Sequence, residues 1–203
     1  FISSSGLYGA EPALPLKTES DPLQISGMYA ICKQTSEHLC QRYTELYGLS
    51  TAIGRLGTTY GPMERASKSR QGMSAIHRLA ELASIKNHIK VHGSQIARDF
   101  CYSDDIAGAL TALLLAEKLS YSIYNVAAPQ AYPLSDALEA VGEMKPGFSW
   151  EEVDAVEEAD LVQTSLNARA GMSIKRLQED TGWQPRYDLK TGMKAYMDWL
   201  KKT

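Results

Sequence analysis

The chain has 203 residues, 44% hydrophobic and 22% charged, a balance that excludes disordered, collagen-like and coiled-coil classes. Lys+Arg 21 against Asp+Glu 24 leaves a formal net charge of -3, which gives nucleic acid or an anionic membrane no electrostatic hold and favours a small-molecule or protein partner. The longest apolar run, about ten residues around 107–116, falls far short of the roughly 20 needed to cross a bilayer, so no membrane span is expected.

Strands and helices alternate along the chain, which predicts βαβ construction and a mainly parallel sheet. Residues 1–3 read as the end of a strand, followed by a polar, Pro-bearing loop over 6–23. A helix is predicted over about 26–47, where Met28, Cys32, Thr35, Leu39, Tyr43 and Leu46 recur at three- and four-residue steps and Gly48 provides the stop. Residues 51–56 read as the next strand and 57–72 as a Gly/Ser-rich loop. A second amphipathic helix carries Met73, Ile76, Ala80 and Ala83, and short strands follow near 89–91 and 100–102. Ser103 is expected to N-cap a third helix, with Asp104 and Asp105 favouring its dipole and Ile106, Leu110, Leu113 and Leu114 forming its buried stripe. A strand over 122–126 and a short helix over 135–141 come next. The acidic stretch 151–160 reads as a solvated face or loop. Helices over 173–181 and 189–202 close the chain, the last with Leu189, Met193, Tyr196 and Leu200 facing inward.

Cys32, Cys40 and Cys101 contain no CxxC pair and leave an odd thiol, which points to buried free thiols in a reducing, cytoplasmic setting. His38, His77, His88 and His92 lack metal-ligand spacing, so they are expected as surface or packing residues and no metal site is expected. No His is placed by motif to deprotonate Ser4, which removes a nucleophilic triad.

Tyr29 and Lys33 are four apart in a predicted helix, so both side chains leave one face. A phenol is a poor base at neutral pH, but a fixed ammonium nearby favours the phenolate, so Tyr29 could shuttle protons. Such a pair alone is a common helix-surface feature. Its company here is Ser3-Ser4-Ser5-Gly6-Leu7-Tyr8-Gly9 at the C-terminal end of a strand, where open α/β sheets place reactive groups.

These residues resemble the extended short-chain dehydrogenase/reductase family, the NAD-dependent epimerase/dehydratase group. Ser4 stands four before Tyr8, Tyr29 follows 25 residues after Ser4, and Arg55-Leu56-Gly57-Thr58-Thr59-Tyr60-Gly61-Pro62 matches the family's Arg-x-x-Asn-x-Tyr-Gly-Pro segment with Thr58 at the Asn position. The stretch from Gly93 through Arg98-Asp99-Phe100-Cys101-Tyr102 to Ile106 is similar to its R-D-F-x-Y-V-D-D-I segment, and Thr181-Gly182-Trp183-Gln184-Pro185 to its closing L-G-W-x-P.

The resemblance implies an α/β fold: the C-terminal half of a Rossmann-like doubly wound parallel sheet plus a small substrate-binding lobe. Residues 1–56 would be the C-terminal part of the Rossmann-like domain, and 57–203 would return to the sheet and form the lobe. Tyr29 would be the catalytic acid/base, Lys33 would hold the nicotinamide ribose, and Ser4 would bond the reacting hydroxyl. Ser5, Thr58 and Arg98 would bind substrate, Arg98 through a diphosphate, unless it serves a sheet-edge ion pair. Tyr60 is expected to pack and Gly61-Pro62 to shape a loop.

Gly57 and Thr58 depart from the family pattern, which is expected to alter or open a substrate contact. Ser5-Gly6 stands where dehydratases carry Asp-Glu, which disfavours dehydration. The cofactor is NAD or NADP, the substrate a nucleotide-sugar, and the assembly a homodimer. The alternatives are a dehydrogenase of a free sugar, uronate or hydroxy acid, and a non-catalytic Rossmann-derived binding module. The family's glycine-rich pyrophosphate turn is absent from the sequence, so roughly a hundred or more residues are expected upstream of Phe1 and the 203-residue form is expected to bind NAD weakly.

Overall fold

The computed structural model describes residues 1–10, 16–68 and 72–202; the parts of the two expected loops at 11–15 and 69–71, and Thr203, lie outside it. Three parallel strands form the sheet beneath the site, in the order β1 (Ile2–Ser4), β2 (Ile53–Leu56), β7 (Ile123–Val126). Ser4, Leu56 and Val126 are in register at their carboxyl ends. The helix α1 (Gly27–Tyr47) connects β1 to β2 and ends at Gly48, whose φ of 66° gives the left-handed turn that halts it.

Between β2 and β7 run β3 (Thr58–Tyr60), α2 (Ala75–Ile85), β4 (His88–His92), β5 (Ala97–Arg98), β6 (Phe100–Tyr102) and α3 (Ser103–Leu115). After β7 come β8 (Tyr132–Pro133), α4 (Leu134–Met144), β9 (Ser149–Glu152), β10 (Leu161–Val162), α5 (Lys175–Thr181) and α6 (Leu189–Leu200). A second parallel sheet has the order β10-β4-β9; β3 pairs parallel with β6, and β5 antiparallel with β8. The main core lies between these strands and α2, α4 and α6, where Tyr60, Leu79, Val91, Phe100, Leu138, Leu189, Met193 and Tyr196 are buried together. A second cluster joins Cys101, Ile106, Tyr124, Val126 and Leu177.

Most expected elements are present, with shifts of one to three residues at their ends, and the differences have physical causes. β3 falls within the expected Gly/Ser-rich loop: Thr58, Thr59 and Tyr60 suit a strand and gain a partner only when β6 arrives from forty residues away. β9 runs into the first two residues of the acidic stretch, paired with β4 while Glu151 and Glu152 stay exposed. Ser103 is the first helical residue rather than the cap, and Asp105 turns away from its own helix to accept the amides of Arg186 and Tyr187 at 3.0 Å each. Leu114 is 83% exposed, so it leaves the expected stripe, whereas Ile106 and Leu113 are buried. Only Cys101 is a buried thiol; Cys32 is exposed and Cys40 half-buried.

Periodicity locates the apolar stripe of α1 but not the side it faces. The stripe faces outward: Met28 is 73%, Leu39 54%, Tyr43 52% and Leu46 54% exposed, while the residues the helix buries are Ala30 and Glu37. Among the described residues no helix is long and apolar enough to cross a membrane.

Candidate active site

A cleft of about 1080 Å³ opens beyond the carboxyl ends of β1 and β2, where an open α/β sheet leaves its crevice. Its walls include Ser4, Ser5, Tyr29, Lys33, Thr58 and Arg98. The structure thus brings all six sequence-derived site residues to one cavity, from β1 and the turn that follows it, α1, β3 and β5.

Strand alternation separates the serines. Ser3 points into the core and donates to Glu37 Oε1 at 2.5 Å, while Ser4 is left to the cleft. Ser4 caps the following turn of 3-10 helix (Ser5–Tyr8), its Oγ accepting from the Gly6 amide at 3.1 Å. That bond uses a lone pair and leaves the hydroxyl proton to donate. Ser5 is 6% exposed and stands beside the Asp99 carboxyl at the cleft floor.

Tyr29 and Lys33 enter from the first turns of α1. The Lys33 ammonium lies 5.7 Å from the Tyr29 ring centroid and donates to the Ile2 carbonyl at 2.9 Å, tying the helix to β1. The Tyr29 side chain is 62% exposed and its hydroxyl has no hydrogen-bond partner among the described residues. A methyl placed on Gly6 would lie 3.2 Å from Ser4 Oγ and 4.0 Å from Tyr29 Cε1, so one small group can touch both.

The far wall is cationic. Arg98 Nε donates to Thr58 Oγ1 at 3.1 Å, and no carboxylate among the described residues closes on its guanidinium as an ion pair. Burial lowers its pKa from the ordinary value, the neighbouring Arg169 charge acts in the same sense, and Asp99 opposes them. Arg169 lines the same cleft with Leu166 and Asn167, its guanidinium held by the carbonyls of Leu166 at 3.1 Å and Ala168 at 2.6 Å. Nothing in the local sequence singles Arg169 out; its backbone amide donates to the Ala97 carbonyl on β5 at 3.1 Å, beside Arg98.

Gly57 opens no extra room. A Cβ there would meet Ala127 Cβ at 2.9 Å and the Asp99 carbonyl oxygen at 3.0 Å, so close packing between β2 and β7 requires glycine. Tyr60 is 2% exposed in the main core, and Gly61, at φ 136°, turns the chain against Ser103.

Over 98% of its length the chain is 29% identical to UDP-glucuronate 4-epimerase 4 of Arabidopsis thaliana, covering 47% of that protein. Among solved structures, the UDP-glucuronic acid 4-epimerase of Bacillus cereus, in complex with UDP-glucuronic acid and NAD, superposes with a TM-score of 0.79 at 22% identity, over 99% of this chain and 60% of that one. The UDP-glucose 4-epimerase of Thermotoga maritima, with UDP-glucose, gives 0.83 at 19% identity, over 100% of this chain and 62% of that one. The chain therefore spans about half to under two-thirds of the length of these relatives. At such identities the two structures show the shared α/β fold of parallel strands and covering helices, the Rossmann-like arrangement the resemblance implied. Residues 1–127, which carry the serine turn, the Tyr29–Lys33 helix, Arg55 to Pro62 and Arg98, match the model of the NAD dependent epimerase/dehydratase family, and the chain belongs to that family.

Proposed function

We propose that this chain supplies the proton-transfer and substrate-holding side of an enzyme that uses NAD or NADP to oxidise a hydroxyl-bearing carbon of a nucleotide sugar, and to epimerise it through the ketone. The observation that carries the reading is one cleft lined at once by Ser4, Tyr29 and Lys33 and by the cations Arg98 and Arg169. Removing hydride from a carbinol requires its proton to leave as well. Tyr29 takes that proton on its phenol oxygen and returns it when the ketone is reduced. Ser4 donates its unused proton to the same substrate oxygen and fixes its position, with Ser5 at the floor behind it.

The nearby residues fit the nicotinamide end of the cofactor. Lys33 spends one of three donors on Ile2 and keeps the others for a ribose diol, beside the unpartnered Tyr29 hydroxyl. When bound, the cofactor accepts and returns the hydride. A guanidinium matches a diphosphate through paired N–H bonds, which suits Arg98 to the nucleotide-sugar linkage.

Titrating the intact protein with UDP, GDP and CDP tests the substrate class. One of them is expected to bind, and Arg98→Met is expected to weaken it about tenfold or more through the lost charge-assisted bonds. A dehydrogenase of free sugars, uronates or hydroxy acids would ignore all three.

The outward apolar face of α1 supports a homodimer. Exposed Met28, Leu39, Tyr43 and Leu46 on one helix form a patch that a soluble monomer rarely leaves in water. Sedimentation of the intact protein should give a dimer, with Leu39→Glu shifting it toward monomer; a monomeric wild type would refute this assembly. Cytoplasmic residence is supported by the free Cys32, Cys40 and Cys101.

A further inference from the structure

Thr58 stands where the family pattern has Asn, yet its hydroxyl is engaged on both sides. It donates to Asp99 Oδ1 at 2.6 Å, and its oxygen accepts from Arg98 Nε at 3.1 Å. A hydroxyl has one proton to give. With that proton directed at Asp99, Thr58 has nothing to offer a phosphate oxygen, which only accepts. Its remaining capacity is two lone pairs, which can only accept, and Arg98 Nε uses one of them.

Asp99 is fully buried, and its Oδ2 has no hydrogen-bond partner among the described residues. A buried carboxyl left half-satisfied is costly, so it persists where a neighbour depends on it. Burial pushes the Asp99 carboxyl above the ordinary range, and the hydroxyls of Thr58 and of the adjacent Ser5, with the charges of Arg98 and Arg169, work against that rise. Asp99 therefore also offsets the repulsion between two guanidiniums lining one cleft.

We propose that Asp99, Thr58 and Arg98 form a relay in which Thr58 is a positioning residue: the carboxyl fixes the hydroxyl, the hydroxyl holds Nε, and the terminal nitrogens of Arg98 are presented to an anion in the cleft. Those nitrogens have no partner among the described residues. A guanidinium is rigid and planar, so holding Nε sets the direction of its two remaining donor groups. The relay rests on the reading of Arg98 as the diphosphate ligand, and it reassigns Thr58 from touching the substrate to aiming the residue that does.

The test compares Thr58→Val, which keeps the β-branched shape, with Thr58→Ser, which keeps the hydroxyl. Two readouts are taken on the intact protein: affinity for UDP with uridine as the phosphate-free control, and the exchange rate of the Arg98 Nε proton with solvent by NMR, assigned with Arg98→Lys. Thr58→Val is expected to weaken UDP about tenfold, leave uridine within about twofold, and speed Nε–H exchange about tenfold or more, while Thr58→Ser stays near wild type on all three. Thr58→Ala is a second hydroxyl-free variant should valine disturb the strand. If hydroxyl-free variants bind UDP as wild type does while Arg98→Met does not, the relay is refuted and the diphosphate reading stands. If Arg98→Met also leaves UDP binding unchanged, the diphosphate reading falls, and the exchange rate alone decides the relay: unchanged exchange in Thr58→Val overturns it, faster exchange supports it.

Discussion

Replacing Tyr29 by Phe in the intact protein is expected to lower kcat by about a hundred- to ten-thousandfold, the usual contribution of a positioned general acid/base. That corresponds to about 3–5 kcal/mol of barrier. The substitution removes one oxygen and keeps the ring on the cleft wall, so substrate affinity should change little and kcat and kcat/KM should fall together. The phenol oxygen has no structural partner to lose among the described residues, so the fold should melt as wild type does. A rate loss accompanied by an equal fall in stability would place Tyr29 in the scaffold instead, and an unchanged rate would remove it from the chemistry.

The residues that line the cleft were readable because each sits in a short local pattern: Ser4 at a strand end, Tyr29 and Lys33 one helical turn apart, and Arg98 in the R-D-F segment of the family resemblance. The helix carrying the pair ends at Gly48, which the sequence alone indicated. What stayed hidden depends on pairing across the chain. Arg169 is tied to the cleft by its backbone bond to the Ala97 carbonyl on β5, and β3 exists because β6 pairs with it. The orientation of α1 was hidden for another reason. Periodicity locates an apolar stripe without saying whether this chain or a partner covers it, and the buried side of α1 is marked by Glu37, a residue that hydropathy assigns to solvent.

That glutamate underlies the largest stability effect expected. Glu37 is 2% and Arg55 3% exposed, and they meet through two parallel bonds, Arg55 Nε to Oε1 at 2.9 Å and Nη2 to Oε2 at 2.7 Å. Ser3 supplies a further donor to Oε1, and Arg55 Nη1 donates to the Tyr8 hydroxyl at 2.9 Å, which donates to Asn125 Oδ1 at 2.8 Å. Burial pushes the Tyr8 phenol up to about 12 despite the nearby guanidinium, so it remains a donor in this chain of bonds. The network crosses β1, β2 and β7 and grips α1 one turn beyond Lys33, which holds the Tyr29 face against Ser4. Arg55→Met leaves the Glu37 carboxylate buried without its cation and is expected to cost about 3–5 kcal/mol, on the order of 10 °C in melting temperature for a chain of this size. Arg55→Lys should also destabilise, because an ammonium lacks the fork that makes both bonds. The double variant Arg55→Met with Glu37→Leu removes both charges and should recover most of the loss, since apolar side chains of similar volume often replace a buried pair at little cost. A single Arg55→Met variant that melts within about one degree of wild type would show that the pair contributes no net hold on α1. Tyr29 and Lys33 would then owe their place to the Lys33 bond to Ile2.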